Sequence, residues 1–180
     1  AYLALVLATG VERVVELVLS TRNARTAFAQ GGVEYGRRHF PWMVALHTGL
    51  LVACLAEAFL ADRPFLPWLG WPMLALVLLS QALRYWCIAV LGPQWNTRVI
   101  VVPGLSLVAR GPYRWLRHPN YVAVVVEGFA LPLVHTAWVT AVAFTVLNAV
   151  LLLAFRIPVE NRALSELHPA ASGAAARRER

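Results

Sequence analysis

Long apolar runs, separated by short loops that contain most of the arginines, make up most of the 180-residue chain. Five runs are long enough to form helices in a bilayer, with predicted bounds Tyr2–Leu19, Phe40–Leu60, Leu66–Leu91, Tyr121–Val134 and Ala137–Phe155. A helix needs about 20 residues to cross a hydrocarbon core of roughly 30 Å, so the fourth run is short and is expected to tilt or end early. The pattern predicts an all-α integral membrane protein with about five transmembrane helices and a single domain over residues 1–168.

The composition excludes a soluble protein. Hydrophobic residues make up 59% of the chain and charged residues 14%, and the mean hydropathy is +0.62. A soluble domain of this length has too much surface for its volume to hide so many apolar side chains.

The distribution of arginine predicts the orientation in the membrane. The net charge is +7 and all 16 basic residues are arginine. Several arginines follow the first, third and fifth predicted spans, whereas the loop after the second has only Arg63 and the loop after the fourth has none. Basic loops face the cytoplasm, so the N-terminus is expected outside and the C-terminus in the cytoplasm. Because the arginines lie beside apolar spans, the expected partners are anionic lipid headgroups and not nucleic acid.

Two segments are predicted to be non-helical. Residues 96–110 (NTRVIVVPGLSLVAR) alternate β-branched residues around Pro103-Gly104, which predicts a β-hairpin. The Ala/Gly/Arg-rich tail, residues 169–180, is predicted to be disordered. Cys54 and Cys87 fall within apolar runs without metal-like spacing, so we expect buried thiols and no metal site.

A basic segment, GPYRWLRHPNYVAVVVE at residues 111–127, runs directly into the fourth apolar run. Pro119 suits the first turn of a helix, where its missing N–H costs nothing, and it favours an extended conformation for His118. The free N–H groups of that helix end, beside Arg117 and His118, are suited to a carboxylate or phosphate. An alternative is that the arginines only anchor the helix to lipid phosphates.

Several motifs together closely resemble the signature of the isoprenylcysteine carboxyl methyltransferase family. They are LGPQW at 91–95, GPYR at 111–114, RHPNY at 117–121 and RIPVENRAL at 156–164. The resemblance covers about Leu91 to Leu164 and implies an integral-membrane enzyme with a cytoplasmic site for S-adenosylmethionine. The cofactor-binding residues that it implies are Tyr113, Arg117, His118, Pro119, Tyr121, Glu160 and Asn161. Asn161 stands where the family has a second acidic residue, and Pro158 is expected to interrupt the helix after Arg156.

The resemblance also implies the reaction, which is O-methylation of a hydrophobic, lipid-like acceptor that enters from the bilayer. The N-terminal third is similar to a bacterial branch associated with alkylpyrones and alkylresorcinols, which implies a bacterial inner membrane. A carboxylate acceptor needs no base, whereas a phenol or enol would use His118, and Arg156 is the second catalytic candidate. An NADPH-dependent enzyme resembling sterol reductases and a non-enzymatic membrane carrier or scaffold are the alternatives.

Five polar residues are expected at one depth inside the membrane. Glu12, His47, Arg84, Glu127 and Asn148 each lie six or seven residues from the basic end of their span, about 10 Å deep. One interpretation is polar contact between helices. The other is a pocket for the acceptor oxygen, in which Arg84 and Glu127 are catalytic. The two are compatible. Glu57, near the other end of the second span, is expected at the interface.

Overall fold

The computed structural model describes residues 1–167, so the predicted disordered tail lies outside the described residues. Helices dominate this part of the chain, which confirms the predicted class. The elements are α1 (Tyr2–Ala29), β1 (Val33–Tyr35), α2 (Phe40–Leu60), α3 (Pro67–Leu91), β2 (Val99–Val101), α4 (Pro119–Leu133), α5 (Trp138–Val150) and α6 (Ile157–Leu167). A π-helical turn, Leu151–Arg156, joins α5 to α6 without a break.

Three helical stretches in the described chain are long and apolar enough to cross a membrane, namely Arg37–Leu60, Pro67–Gln94 and Trp138–Glu166. The apolar helix α4 is shorter, with 15 residues. The first helix, α1, has 28 residues and carries three charged side chains near its middle, Glu12, Arg13 and Glu16. It continues past the predicted end at Leu19 to Ala29, about 15 Å further along its axis.

A two-stranded antiparallel sheet corrects the prediction that residues 96–110 form their own hairpin. Strand β2 pairs with β1, in the register Val33↔Val101, Glu34↔Ile100 and Tyr35↔Val99. The alternation of β-branched residues did signal a strand, but its partner lies between α1 and α2. Val99 and Val101 pack with Ala163 of α6, so the sheet holds the C-terminal helix against the end of the bundle.

Helix α4 is the most buried of the apolar helices because it packs between α3 and α5. Gly128 permits the close approach to α5, since a Cβ at this position would lie 1.9 Å from Cε1 of Phe144. The main apolar core extends from this contact toward the N-terminal half of α1, through Leu131, Val77, Cys54 and Val6. Cys54 and Cys87 are both buried free thiols.

Pro158 does not interrupt the last helix, contrary to expectation. The chain passes from α5 through the π turn into α6, which extends to Leu167. A wider turn before the proline replaces the helix end that was predicted.

Glu57 was expected only to lie at the membrane interface, but it also contacts the start of α5 and Arg63. Its carboxylate accepts hydrogen bonds from the backbone N–H groups of Val139 and Thr140, at 3.2 and 2.7 Å, and forms a 2.9 Å ion pair with Arg63. It therefore caps the first turn of α5 from the end of α2.

Candidate active site

Pro119 has its predicted place in the first turn of α4, but His118 is not in the predicted extended conformation, because its ψ angle lies below the extended range. Pro119 occupies the first turn and is fully buried, and His118 before it is non-helical, with φ −132° and ψ 61°. The N–H of Tyr121 bonds to the carbonyl of His118 at 3.1 Å.

Four of the predicted site residues form one cluster at this helix end. Arg156 Nε donates a 2.9 Å hydrogen bond to the Tyr121 hydroxyl, which in turn donates to one carboxylate oxygen of Glu160. His118 Nδ1 lies 3.5 Å from the other oxygen of Glu160, and its ring stacks on Tyr121 with centroids 5.3 Å apart. The cluster joins α4, the π turn and α6, although Arg156 lies 35 residues from Tyr121 in sequence.

Tyr113 lies beside the cluster. It is half-buried in the 3₁₀ turn Gly111–Arg114, which leads toward α4. Burial, followed by the adjacent Cys87 thiol, raises the pKa of the Tyr113 phenol, and Glu160 contributes in the same direction. Tyr113 is therefore a neutral hydroxyl and an aromatic face next to Glu160.

Arg117 and Asn161 are exposed, in contrast to the buried Arg156. Each is adjacent in sequence to a cluster residue, Arg117 to His118 and Asn161 to Glu160. Both side chains are therefore accessible to solvent next to a member of the cluster in sequence.

Two residues near the site were not anticipated. Asn120 Oδ1 and His39 Nε2 are buried and have no hydrogen-bond partner among residues 1–167. Asn120 lies within the RHPNY motif, so the motif itself was a signal. His39 precedes α2 and lies against Gly36, where a Cβ would come 2.1 Å from its Cε1, and no sequence pattern marks it.

A buried network of charges joins α1, α3 and α4. Arg84 lies 2.9 Å from Glu127 and 3.5 Å from Glu16, and each of these side chains is less than a tenth exposed. Arg13 lies 3.0 Å from Glu16 and 3.7 Å from Glu127. Arg13 and Glu16, on the same helix as Glu12, were not among the residues expected at one depth.

The network reaches the bundle surface at Glu12. Gln81 Nε2 donates to the Glu12 carboxylate at 2.6 Å, Tyr85 also donates to it, and Arg13 donates to Gln81 Oε1 at 3.2 Å. Three of the five residues expected at one depth, Glu12, Arg84 and Glu127, are therefore connected.

The other two members of the expected layer lie on α2 and α5. His47 bonds to the carbonyl of Met43 at 2.9 Å and meets the ring of Phe144 edge-on. Asn148 is buried on α5. Glu127 follows Tyr121 by six residues, so the network lies about 9 Å along α4 from the cluster.

An apolar groove of about 430 Å³ lies between α2 and α5. The groove is present because several of the residues that line it have small side chains, namely Ala45, Gly49, Ala53 and Ala143. It extends to Trp42 and to Phe155, the residue next to Arg156. Arg156 of the cluster therefore follows a residue of the groove directly in sequence.

The chain is similar to several known proteins. The model of the isoprenylcysteine carboxyl methyltransferase (ICMT) family matches residues 73–166. The uncharacterized protein YpbQ of Bacillus subtilis (strain 168) is 40% identical over 157 residues, which cover 87% of this chain and 92% of that protein. An uncharacterized protein of Haemophilus influenzae (strain ATCC 51907 / DSM 11121 / KW20 / Rd) is 27% identical over 160 residues, covering 87% and 91% of the two chains.

A solved structure has a similar fold. It is the eukaryotic intramembrane Ras methyltransferase ICMT, which superposes with a TM-score of 0.60 at 22% sequence identity. The match covers 77% of this chain and 50% of that one, so the chain spans about half the length of the solved protein.

Proposed function

The chain belongs to the isoprenylcysteine carboxyl methyltransferase family of membrane methyltransferases, and from this premise we propose that it methylates an oxygen of a hydrophobic, lipid-like acceptor with S-adenosylmethionine. One observation carries the proposal. The family's separated motifs meet in a single cluster, in which Arg156, Tyr121 and Glu160 are linked by hydrogen bonds.

The residues of the cluster fit the polar groups of S-adenosylmethionine. The N-terminus of α4, with Arg117 and His118, suits its carboxylate. Glu160, with Asn161 beside it, suits its ammonium or ribose hydroxyls, and the buried unpartnered Oδ1 of Asn120 is a further acceptor among the described residues. Tyr113 and Tyr121 offer aromatic faces to the adenine or the sulfonium. When bound, the cofactor supplies the electrophilic methyl group.

The acceptor is proposed to occupy the groove between α2 and α5, reached from the bilayer. Its apolar lining suits a lipid-like chain, and its lining residue Phe155 directly precedes Arg156 in sequence, which supports this location. There the groove and the cluster would align the acceptor oxygen with the methyl group that the bound cofactor supplies, and this alignment would be the main catalytic contribution. Arg156 stabilises an anionic oxygen.

The acceptor is either a carboxylate of the isoprenylcysteine type or a phenol or enol of a polyketide. A carboxylate reacts without loss of a proton. For a phenol or enol, His118 takes the proton, since its ring lies within the cluster. Glu127, farther along α4, and its partner Arg84 on α3 are proposed to hold the polar part of the acceptor.

Five helices are proposed to enter the bilayer, with α1 and α4 joining the three long apolar stretches. The charge network supports the inclusion of α1, because Arg13 and Glu16 face α3 and α4. The arginine-rich loops support an outside N-terminus and a cytoplasmic cofactor site in a bacterial inner membrane.

Cofactor binding tests the proposal. We expect detergent-purified protein to bind S-adenosylmethionine and not NADPH in calorimetry. Binding of NADPH alone would favour an enzyme of the reductase type, and binding of neither would favour a carrier or scaffold. Incubating membranes with cofactor labelled in its methyl group would then identify the labelled lipid.

Two matched pairs of variants locate the site. His118→Ala and Glu160→Gln each remove a partner of a charged group, worth about 1.5–3 kcal/mol, so the cofactor Kd should rise roughly ten- to hundredfold. His135→Ala, at the opposite end of α4, and Glu166→Gln, exposed on α6, should leave the Kd unchanged. Equal affinity in all four variants would contradict the proposed site.

A further inference from the structure

The π turn coincides with the residues that the cluster needs. In this turn the N–H of Ile157 bonds to the carbonyl of Leu152, five residues earlier, where an α-helix would use the residue four earlier. Arg156 is the last residue of the turn, and Glu160 lies four residues beyond it in α6. Such turns add one residue to a helix and are frequent at functional sites.

Pro158 explains why the turn lies here. A proline inside an α-helix lacks the N–H that would bond to the residue four earlier, which is Ala154, and its ring clashes with that carbonyl. Widening the turn before Pro158 relieves the clash, and the helix then continues to Leu167. The proline and the π turn are therefore two parts of one feature.

The wider turn changes which way Arg156 faces. Asn148, Leu152 and Arg156 are four residues apart and are all buried. In a regular α-helix, residues four apart differ by about 40° around the axis, so Arg156 would face about 80° away from Asn148. The extra residue in the turn offsets this drift, and the Arg156 guanidinium reaches Tyr121 on α4.

We infer that Pro158 is a positioning residue, which holds the π turn and so sets the register that brings Arg156 and Glu160 to Tyr121. It acts only through Arg156 and Glu160, not by contact with the cofactor. The experiments that measure cofactor affinity rest on the proposed function. The disulfide experiment does not, because it reports the register of the helix directly.

The substitution Pro158→Ala tests it. Alanine permits a regular α-helix, so the bundle should still fold, but the thermal midpoint in detergent should fall because Ala163 loses its packing against the sheet. The register beyond residue 157 should rotate by about 100°, and the S-adenosylmethionine Kd should increase at least about tenfold, as expected when a charged hydrogen bond is lost. Pro72→Ala is the matched control, since Pro72 lies inside α3 and is exposed. It should leave the Kd unchanged.

A deletion separates register from other effects of the proline. Removing Ala154, an exposed residue of the turn, in the Pro158→Ala protein restores the original register within a regular α-helix. We expect cofactor affinity to return to within about threefold of the parent, which is less than 1 kcal/mol. An unchanged Kd in Pro158→Ala, or a loss that the deletion does not recover, would overturn the inference.

A disulfide cross-link measures the register of α6 against β2 without any cofactor. Ala163 is fully buried and packs against Val99 of β2. In a protein whose Cys54 and Cys87 are replaced by alanine, Val99→Cys and Ala163→Cys should form a disulfide. The bond should fail to form in Pro158→Ala and form again after the deletion. A disulfide that forms equally in all three would refute the register change, even if the protein proved not to bind S-adenosylmethionine.

Discussion

The Tyr121 hydroxyl is the single atom that connects the two ends of the cluster. It accepts from Arg156 at 2.9 Å and donates to Glu160, so Arg156 and Glu160 each have a defined position because of it. Its ring is also one face of the stack with His118. Removing the oxygen alone would leave the stack in place while the buried guanidinium loses an acceptor.

We therefore expect Tyr121→Phe to weaken S-adenosylmethionine binding about tenfold or more, since a lost hydrogen bond to a charged group is worth about 1.5–3 kcal/mol. Calorimetry on the purified protein measures this. Tyr2→Phe is the control, because the Tyr2 hydroxyl donates to the Leu131 carbonyl at 3.1 Å in the main core. That control should lower stability by about 1 kcal/mol and leave the Kd unchanged. If Tyr121→Phe binds like the parent, the hydroxyl does not organise the site.

Among the elements, α5 depends on α2 for its first turn. Glu57 accepts from the N–H groups of Val139 and Thr140 and from the Thr140 hydroxyl at 2.8 Å. A capping acceptor contributes about 1 kcal/mol, and the ion pair with Arg63 adds to this. Glu57→Gln should lower the free energy of unfolding by about 1–2 kcal/mol in a thermal or denaturant assay. Asp62→Asn, a neighbouring exposed acid, should have no effect on it.

The charge network ties α1, α3 and α4 together, and Arg84 is central to it. Arg84→Leu would leave Glu127 without its nearest cation and would remove one of the two cations beside Glu16, at a cost of about 3–5 kcal/mol for breaking a buried pair. Adding Glu127→Gln should restore part of the thermal stability, because it removes one of the orphaned charges. Arg13, 3.7 Å from Glu127, limits the recovery.

The same pair of variants separates packing from catalysis. If Arg84 only joins helices, activity per folded molecule survives in Arg84→Leu. If it holds the acceptor oxygen, turnover collapses while cofactor binding persists, and Glu127→Gln does not restore it. We expect the loss of turnover, and normal turnover in folded Arg84→Leu would contradict that role.

Sequence patterns located the apolar helices α2 and α3 to within a residue because their bounds are marked by prolines and charged loops. They failed where structure depends on distant partners. Strand β2 was detected but its pairing with β1 was not, since pairing across two helices leaves no local pattern. Arg156, Tyr121 and Glu160 were found through their motifs, whereas the π turn that aligns them was read as a helix end. Pro158 indicated a change in the helix at this position. A proline alone does not show whether the helix ends or continues through a wider turn.

At the scale of the whole molecule, the cluster, the sheet and most of the arginines lie at one end of the bundle. The proposed orientation therefore predicts which end faces the cytoplasm, and this can be tested. Gln30, at the C-terminal end of α1, and Ala61, after α2, are both exposed and lie at the two ends of the bundle. If basic loops face the cytoplasm, they lie on opposite sides of the membrane.

Single cysteines at these positions should therefore react differently with an impermeant maleimide. In a background without Cys54 and Cys87, we expect Ala61→Cys to be labelled in intact cells. Gln30→Cys should be labelled only after the membrane is opened. Its position is on the proposed cytoplasmic side, where the cluster would meet S-adenosylmethionine. Detergent-solubilised protein, in which both sites should react fully, controls for local burial. The reverse pattern in cells would invert the topology, and labelling of both sites from outside would mean that α2 does not cross the bilayer.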